Sequence, residues 1–257
     1  MGEAKLSVDD LCKSFRTDTG VLPVLDGVGF DVAPGEFVSV IGPSGCGKST
    51  LFNVIAGLEQ PDSGRLLVDG VDATGRSDPF AYMPQQDLLF PWRTVLDNTT
   101  LGLEVAGLRR RAARQQARVL FEPFGLAGFE SAHPYELSGG MRQRAALLRT
   151  VVQDRAVLLL DEPFGALDSL TRTDMQVWLE SVRAGFDWTV LLITHDIREA
   201  VLLSDRVLVL APRPTRVHRE VVVDLPHPRR LEMITDPRFA QLEDALFNAL
   251  RGHSPRT

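Results

Sequence analysis

The apolar residues of this chain fall into two patterns that alternate along most of its length. Short continuous runs, Glu36-Phe-Val-Ser-Val-Ile41, Phe80-Ala-Tyr-Met83, Ala156-Val-Leu-Leu-Leu160 and Thr189-Val-Leu-Leu-Ile193, read as buried strands. Residues 49–56, 169–184 and 197–203 read as helices, the first with a clear apolar stripe, and 206–210 and 217–223 as two more strands. Strand–helix alternation predicts an α/β fold with a mostly parallel sheet covered by helices.

Two regions depart from that rhythm. Near the start, residues 5–15 alternate loosely and predict an edge strand ending in the turn Thr17-Asp-Thr-Gly20. Val28-Gly-Phe-Asp-Val32 predicts a second strand, and Arg65-Leu-Leu-Val68 before Asp69-Gly70 a hairpin. In the middle, residues 94–106 and 109–124 read as helices, and a third begins near Ser138. The chain therefore reads as one domain. Its core spans about 1–85 and 155–225, a helical subdomain is inserted over about 86–154, and a tail over 226–257 carries proline turns and one short helix at 239–250.

Composition narrows the function. The 257 residues are 44% hydrophobic and 24% charged with net charge −6, which does not favour polyanion binding over a broad surface. Arg109, Arg110, Arg111, Arg114 and Arg118 form a basic face read as solvated, so no nucleic-acid partner is expected. Two cysteines, Cys12 and Cys46, fit a reducing compartment better than a disulfide framework. The first residues lack the apolar core of a secretory leader, Leu6 stands where a myristoylation motif needs Ser or Thr, and no apolar run has the length of a membrane span.

The chemistry centres on Gly42, Pro43, Ser44, Gly45, Cys46, Gly47, Lys48, Ser49 and Thr50, which fit G-x-x-x-x-G-K-[ST] between a strand and a helix. Glycines let backbone N–H groups turn toward phosphate oxygens, and the helix adds its positive N-terminus. Lys48 can reach the β- and γ-phosphates, and the Ser49 hydroxyl can complete a Mg²⁺ shell. Cys46, at that helix N-terminus beside Lys48, is expected to have a lowered thiol pKa. Asp161-Glu162 ends an apolar strand, where one acid can serve Mg²⁺ through water and the next can polarise an attacking water. Ser138-Gly139-Gly140 opens a helix as a second anion-facing terminus. Ser138 is explained as a cap, but two glycines weaken a first turn by about 1 kcal/mol each, which points to close approach of something to the backbone. A second anion nest beside a phosphate loop indicates that two copies share nucleotides.

With these motifs the chain resembles the ATP-binding subunits of ABC transporters over nearly its whole length, most of all importers of nitrate, sulfonates, taurine and similar small solutes. That likeness implies a P-loop core, an antiparallel β subdomain and an inserted helical subdomain, with ATP and Mg²⁺ as ligands. By position, residues 42–50 match Walker A, 157–162 match Walker B, and 137–143 the signature segment, including Ser138, Gly139, Gly140, Met141 and Gln143. Met141 departs from the family pattern, which often has Gln. The resemblance makes Asp168 the D-loop acid, His195 the γ-phosphate switch, Phe15 the adenine stacker and Gln85 the Q-loop residue, with Gln86 as the alternative register. Catalysis would fall to Glu162, His195 and Lys48, and Mg²⁺ to Ser49, Gln85 and Asp161. The partners implied are a second copy, membrane permease subunits met through Phe90-Pro-Trp92, and indirectly a solute-binding protein, at the cytoplasmic face of the cell membrane. Residues 88–98 and 213–217 carry the likeness to the nitrate, sulfonate and taurine group, and a pyrimidine vitamin precursor, carried by similar systems, is the alternative solute. A soluble non-transport ABC-type ATPase and a P-loop kinase are the rival classes. A kinase has no use for the Ser138 nest, and the chain lacks the coiled-coil insert, zinc cysteines or second cassette of the soluble relatives.

Overall fold

A computed structural model of the chain describes residues 4–252. The N-terminal residues form a long hairpin, β1 (Leu6–Thr17) and β2 (Gly20–Val32), followed by β3 (Phe37–Ile41), the phosphate loop and α1 (Lys48–Ile55). The chain then returns through β4 (Ser63–Val68), which pairs antiparallel with β1, and β5 (Val71–Asp72). Asp69 and Gly70 turn this corner at φ 50° and 74°, the left-handed conformation the Asp-Gly pair favours. The resulting antiparallel sheet has the order β2–β1–β4–β5. β1 is therefore an interior strand, contrary to expectation. Its imperfect alternation comes from register shifts between Val8 and Ser14, and its second neighbour arrives from beyond α1, where no local pattern announces it.

After β6 (Phe80–Met83) come α2 (Val95–Thr99), α3 (Leu101–Val105), α4 (Arg110–Arg118) and α5 (Gly139–Val151). The helix expected over 94–106 is interrupted at Thr100. There the hydroxyls of Thr99 and Thr100 donate back to the carbonyls of Leu96 and Asp97, at 2.8 and 3.4 Å, and compete with regular helix geometry. α4 stops at Arg118, short of Phe124, and the chain tightens into turns that bury Phe121 and Phe124. Arg110 and Arg114 of the basic face grip Asp97 at 2.6 and 2.7 Å, so part of that face ties α4 to α2.

The remaining elements are β7 (Val157–Asp161), α6 (Ser169–Arg183), β8 (Val190–Ile193), α7 (Ile197–Leu203), β9 (Arg206–Leu210), β10 (Val217–Val222) and α8 (Pro237–Arg251). The second sheet runs β10–β9–β3–β8–β7–β6, parallel except for β10. Its central strands β3, β8 and β7 are buried on both faces, as continuous apolar runs require, while the edge strand β10 is largely exposed. Leu158, Leu160, Val190 and Leu192 face the core shared with α5 and α6, while Val157, Leu159, Leu191 and Ile193 face α1 and the antiparallel sheet. The tail is more firmly built in than its prolines predict. Phe239, Leu242 and Leu246 of α8 join a core with α7 and β9, and Arg229, only 2% exposed, donates to the carbonyls of Val201, Ser204, Val223 and Leu225. Among the described residues no helix is long and apolar enough to cross a membrane.

Candidate active site

Strand order decides what meets at the carboxyl ends of the parallel sheet. β8 lies between β3 and β7, and Ile193 stands in register with both Val40 and Asp161. The phosphate loop, Glu162 and the segment from Thr194 to His195 therefore emerge side by side, at the edge where open α/β sheets bind ligands. Gly47 takes φ 123°, and a Cβ there would come within 2.8 Å of Val24 Cγ1, so the loop's course depends on that glycine. α1 begins with no side-chain cap, which leaves its first N–H groups for an anion. Lys48, 9% exposed, donates to the carbonyls of Gly42 and Pro43 at 2.9 and 3.2 Å, folding its ammonium across the loop.

The loop floors a cavity of about 590 Å³. Ser44, Gly45, Gly47, Lys48, Ser49 and Thr50 line one wall; Glu162 and His195 line another; Phe15, Leu22 and Val24 supply an apolar side, joined by Arg213. Phe15 is half-buried, with the Lys13 ammonium 5.2 Å from its ring centroid.

Glu162 is the hub of the polar side. It sits at φ 45°, a left-handed conformation that costs a non-glycine residue about 1–3 kcal/mol and that here turns the chain at the strand end. Its N–H donates to the Ile193 carbonyl at 2.9 Å. Its carboxylate accepts from Gln85 Nε2 at 3.1 Å and lies 3.2 Å from His195 Nδ1. This contact belongs to Gln85; no bond of the Gln86 side chain to Glu162 occurs among the described residues. Asp161 accepts from the Tyr82 hydroxyl at 3.1 Å, and burial, reinforced by the charge of Glu162, pushes its carboxyl up. The same burial and the Asp161 charge push the Tyr82 phenol up.

Asp161, Ser49 and Gln85 present hard oxygen donors, and a buried carboxyl held above its usual range is one that a divalent cation would stabilise in its charged form. The residues fit Mg²⁺, which keeps several of its own waters and asks for few protein ligands.

Gly42, Pro43, Cys46, Gln85 and Asp161 stand behind the cavity's lining, and the remaining expected site residues do not line it either. Ser138 is exposed and caps α5 by accepting from Met141 N–H at 3.3 Å; Met141 is half-buried; Gln143 is buried and donates to the Pro163 carbonyl. Asp168 caps α6, accepting from Leu170 and Thr171 N–H at 3.2 and 3.1 Å. The argument from two glycines divides. A Cβ on Gly140 would stand 3.0 Å from Thr171 Cγ2, so packing against α6 accounts for that glycine. A Cβ on Gly139 would meet its nearest neighbour, Leu167 Cδ2, at an ordinary 3.5 Å, so only Gly139 still asks for an external partner.

The expectation for Cys46 is overturned. The thiol is 2% exposed and turned against the loop, and burial outweighs the nearby Lys48 charge to push its pKa up. Conversely, Leu22, Val24 and Arg213 line the cavity without having been singled out as site residues. Leu22 and Val24 reach it only through the pairing of β2, which leaves no local signal. Arg213 belongs to the 213–217 stretch, which the sequence connected with the solute group and not with the nucleotide site.

Comparison with known proteins agrees with this geometry. The family described as ABC transporter matches residues 25–165. The chain is 44% identical to the formylaminopyrimidine import ATP-binding protein ThiZ of Halalkalibacterium halodurans, over 89% of each chain. It is 40% identical to the aliphatic sulfonates import ATP-binding protein SsuB of Bacillus cereus, over 87% of this chain and 88% of that one. Among solved structures, a dimeric ATP-binding cassette in a post-hydrolysis state with ADP and Pi aligns with TM-score 0.73 and 28% identity, covering 86% of this chain and 100% of that one. A phosphate loop, an acid at the end of the neighbouring strand and a histidine beside it thus occur together in a chain that belongs to the ABC transporter family, as one of its ATP-hydrolysing subunits.

Proposed function

We propose that two copies of this chain close on ATP to drive a membrane permease that imports a small solute, in the class of sulfonates, nitrate, taurine or a pyrimidine vitamin precursor. The observation that carries the catalytic part is Glu162 held between Gln85 and His195 above the phosphate loop. In this reading ATP lies along the cavity, its base against Phe15 and its phosphates over the N–H groups of residues 45–50. Lys48 exchanges the carbonyls of Gly42 and Pro43 for β- and γ-phosphate oxygens. Glu162 polarises a water and accepts its proton as the oxygen attacks the γ-phosphorus in line; the bond to the β–γ bridging oxygen breaks and ADP leaves with the electron pair. His195 then faces the γ-phosphate from beside Glu162. Ser49, Gln85 and Asp161 would hold Mg²⁺, directly or through water, and the ion would supply charge neutralisation at the phosphates.

The position of Ser138 and Gly139 outside the cavity supports the two-copy reading. Gly139 has room above it, and the α5 terminus is free to cover the nucleotide of a second copy. Named import roles of the relatives support the solute class. The test is Glu162→Gln, which keeps the contact to Gln85 and removes the base. Turnover should fall by roughly 10²–10⁴, ATP should still bind, and light scattering should show an ATP-dependent dimer. Turnover near the wild-type rate would reject the assignment. Binding assays on the cognate solute-binding protein identify the solute.

A further inference from the structure

The turn between β9 and β10 is built onto the phosphate loop. Thr215 is fully buried, and its hydroxyl donates to the carbonyl of Cys46 inside the loop. Its N–H donates to the Val24 carbonyl at 2.8 Å, its carbonyl accepts from Asp26 N–H at 3.0 Å, and Ala211 N–H closes the turn on the Arg216 carbonyl at 3.0 Å. These bonds fix a short arm over the nucleotide cavity, and Arg213 stands at its tip. The Arg213 guanidinium comes within 3.8 Å of where a Cβ on Gly45 would sit, and it lines the cavity with Ser44, Gly45 and Lys48.

Several arginines near this arm are neutralised by acids. Arg206 pairs with Glu36 and Glu220, Arg216 with Asp26 at 2.5 Å, and Arg238 with Asp224. Arg213, like Arg219 on β10, makes no ion pair among the described residues, although acids outnumber bases 34 to 28 in the chain, and of these two it is Arg213 that lines the cavity. An unneutralised guanidinium held beside a loop of inward-turned N–H groups is complementary to phosphate, which it can meet with two parallel hydrogen bonds.

We propose that Arg213 is a nucleotide-binding residue whose guanidinium bonds the polyphosphate of ATP from the Gly45 side of the loop. The inference rests on the ATP-binding reading above and adds a second cation to Lys48. The β9–β10 turn is then a wall of the site, and Thr215 is the clamp that sets its height.

The experiment is calorimetric titration of the full chain with ATP, ADP and AMP, for the wild type, Arg213→Ala, Arg213→Lys and Lys48→Ala. Arg213 is exposed, so its two variants should melt with the wild type. A lost charged hydrogen bond weakens binding by about tenfold or more. Arg213→Ala should therefore raise the Kd for ATP and ADP by about tenfold with AMP nearly unchanged, and Arg213→Lys should recover part of the loss. Unchanged ATP affinity in Arg213→Ala, with Lys48→Ala impaired, overturns the inference and leaves the ATP site standing. Equal loss for all three nucleotides overturns the polyphosphate contact in favour of one to the nucleoside. Failure of the wild type to bind ATP overturns the underlying reading.

Discussion

Trp92→Ala separates a docking residue from a core residue. The indole is 72% exposed and stacks on Phe90 with centroids 5.0 Å apart and planes at 10°. The loop beneath it is held independently of either ring. Asn98, fully buried, accepts from Phe90 N–H at 2.7 Å and donates toward the carbonyls of Phe90, Arg93 and Thr94 at 3.1, 3.2 and 3.0 Å. Arg149 of α5 adds bonds to the carbonyls of Asp87 and Leu88. Removing the indole therefore costs mainly the stacking, about 0.5–1.5 kcal/mol. In a domain of this size that lowers Tm by about 1–6 °C, and ATPase of the free subunit should persist. If the exposed ring is an interface anchor, its loss costs 2 kcal/mol or more of assembly, roughly thirtyfold in affinity. Thermal melts and ATPase of the free subunit are compared with solute uptake by the complex reconstituted with its permease. Asn98→Ala is the contrast, since it strands several backbone groups at about 1–3 kcal/mol each and should destabilise the free subunit itself. A large loss of stability in Trp92→Ala, with normal transport by the assembled complex, would refute the docking role.

Two further predictions concern buried positions. Gly140→Val should lower stability by about 1–3 kcal/mol through overpacking against α6, and Thr171→Ser beside it should return part of that loss, as a double-mutant cycle in urea would show. Glu199, buried beside Gln176 at 3.0 Å, has its carboxyl pushed up to about 7 by burial. Its folded pKa thus lies above the unfolded one, so the native state holds the extra proton. That stabilisation is full below the ordinary carboxylate range and is lost as pH rises through about 7. Urea midpoints should fall between pH 5.5 and 8 in the wild type and fall less in Glu199→Gln; equal slopes would remove Glu199 as the cause.

What the sequence made legible was what depends on few neighbours in the chain. The phosphate loop is local: glycine spacing, a strand before and a helix after fully specify it. Glu162 and His195 were recognisable because each ends an apolar strand, but their 3.2 Å contact depends on β8 lying between β3 and β7, a long-range pairing. The same limit hid the interior position of β1. Other misses are contests of magnitude. At Cys46 the helix terminus and Lys48 do lower the pKa, yet burial, invisible in one sequence, raises it more. Gly140 looked like a ligand contact because the neighbouring helix that needs it lies thirty residues on, at Thr171. Arg229 sat in a proline-rich tail where an arginine is usually solvated, and only the ring of carbonyls around it explains its burial.

The segment between the site and Trp92 gives the proposed motor its linkage. Gln85 touches Glu162, and seven residues later the same loop presents the exposed indole. Between them, Asp87 and Leu88 offer their carbonyls to Arg149 on α5, and the Asp87 carboxylate lies 3.5 Å from Arg142 on that helix. α5 is also the helix that starts at Ser138 and Gly139. In the proposed motor, a displacement of Trp92 by a partner would be carried by directional bonds to two places: along the backbone to the side chain holding Glu162, and across Arg149 and Arg142 to the terminus that would cover the other copy's nucleotide. Arg149 has its pKa lowered by burial, so its charge is partly withdrawn from water and its bonds to the loop are correspondingly costly to leave unmade. The loop and α5 should therefore move as one body. A coupling element attached only to the loop would shift Gln85 without shifting Ser138; this arrangement would move both, as the proposed nucleotide-driven closure requires of a part shared by the catalytic site and a permease.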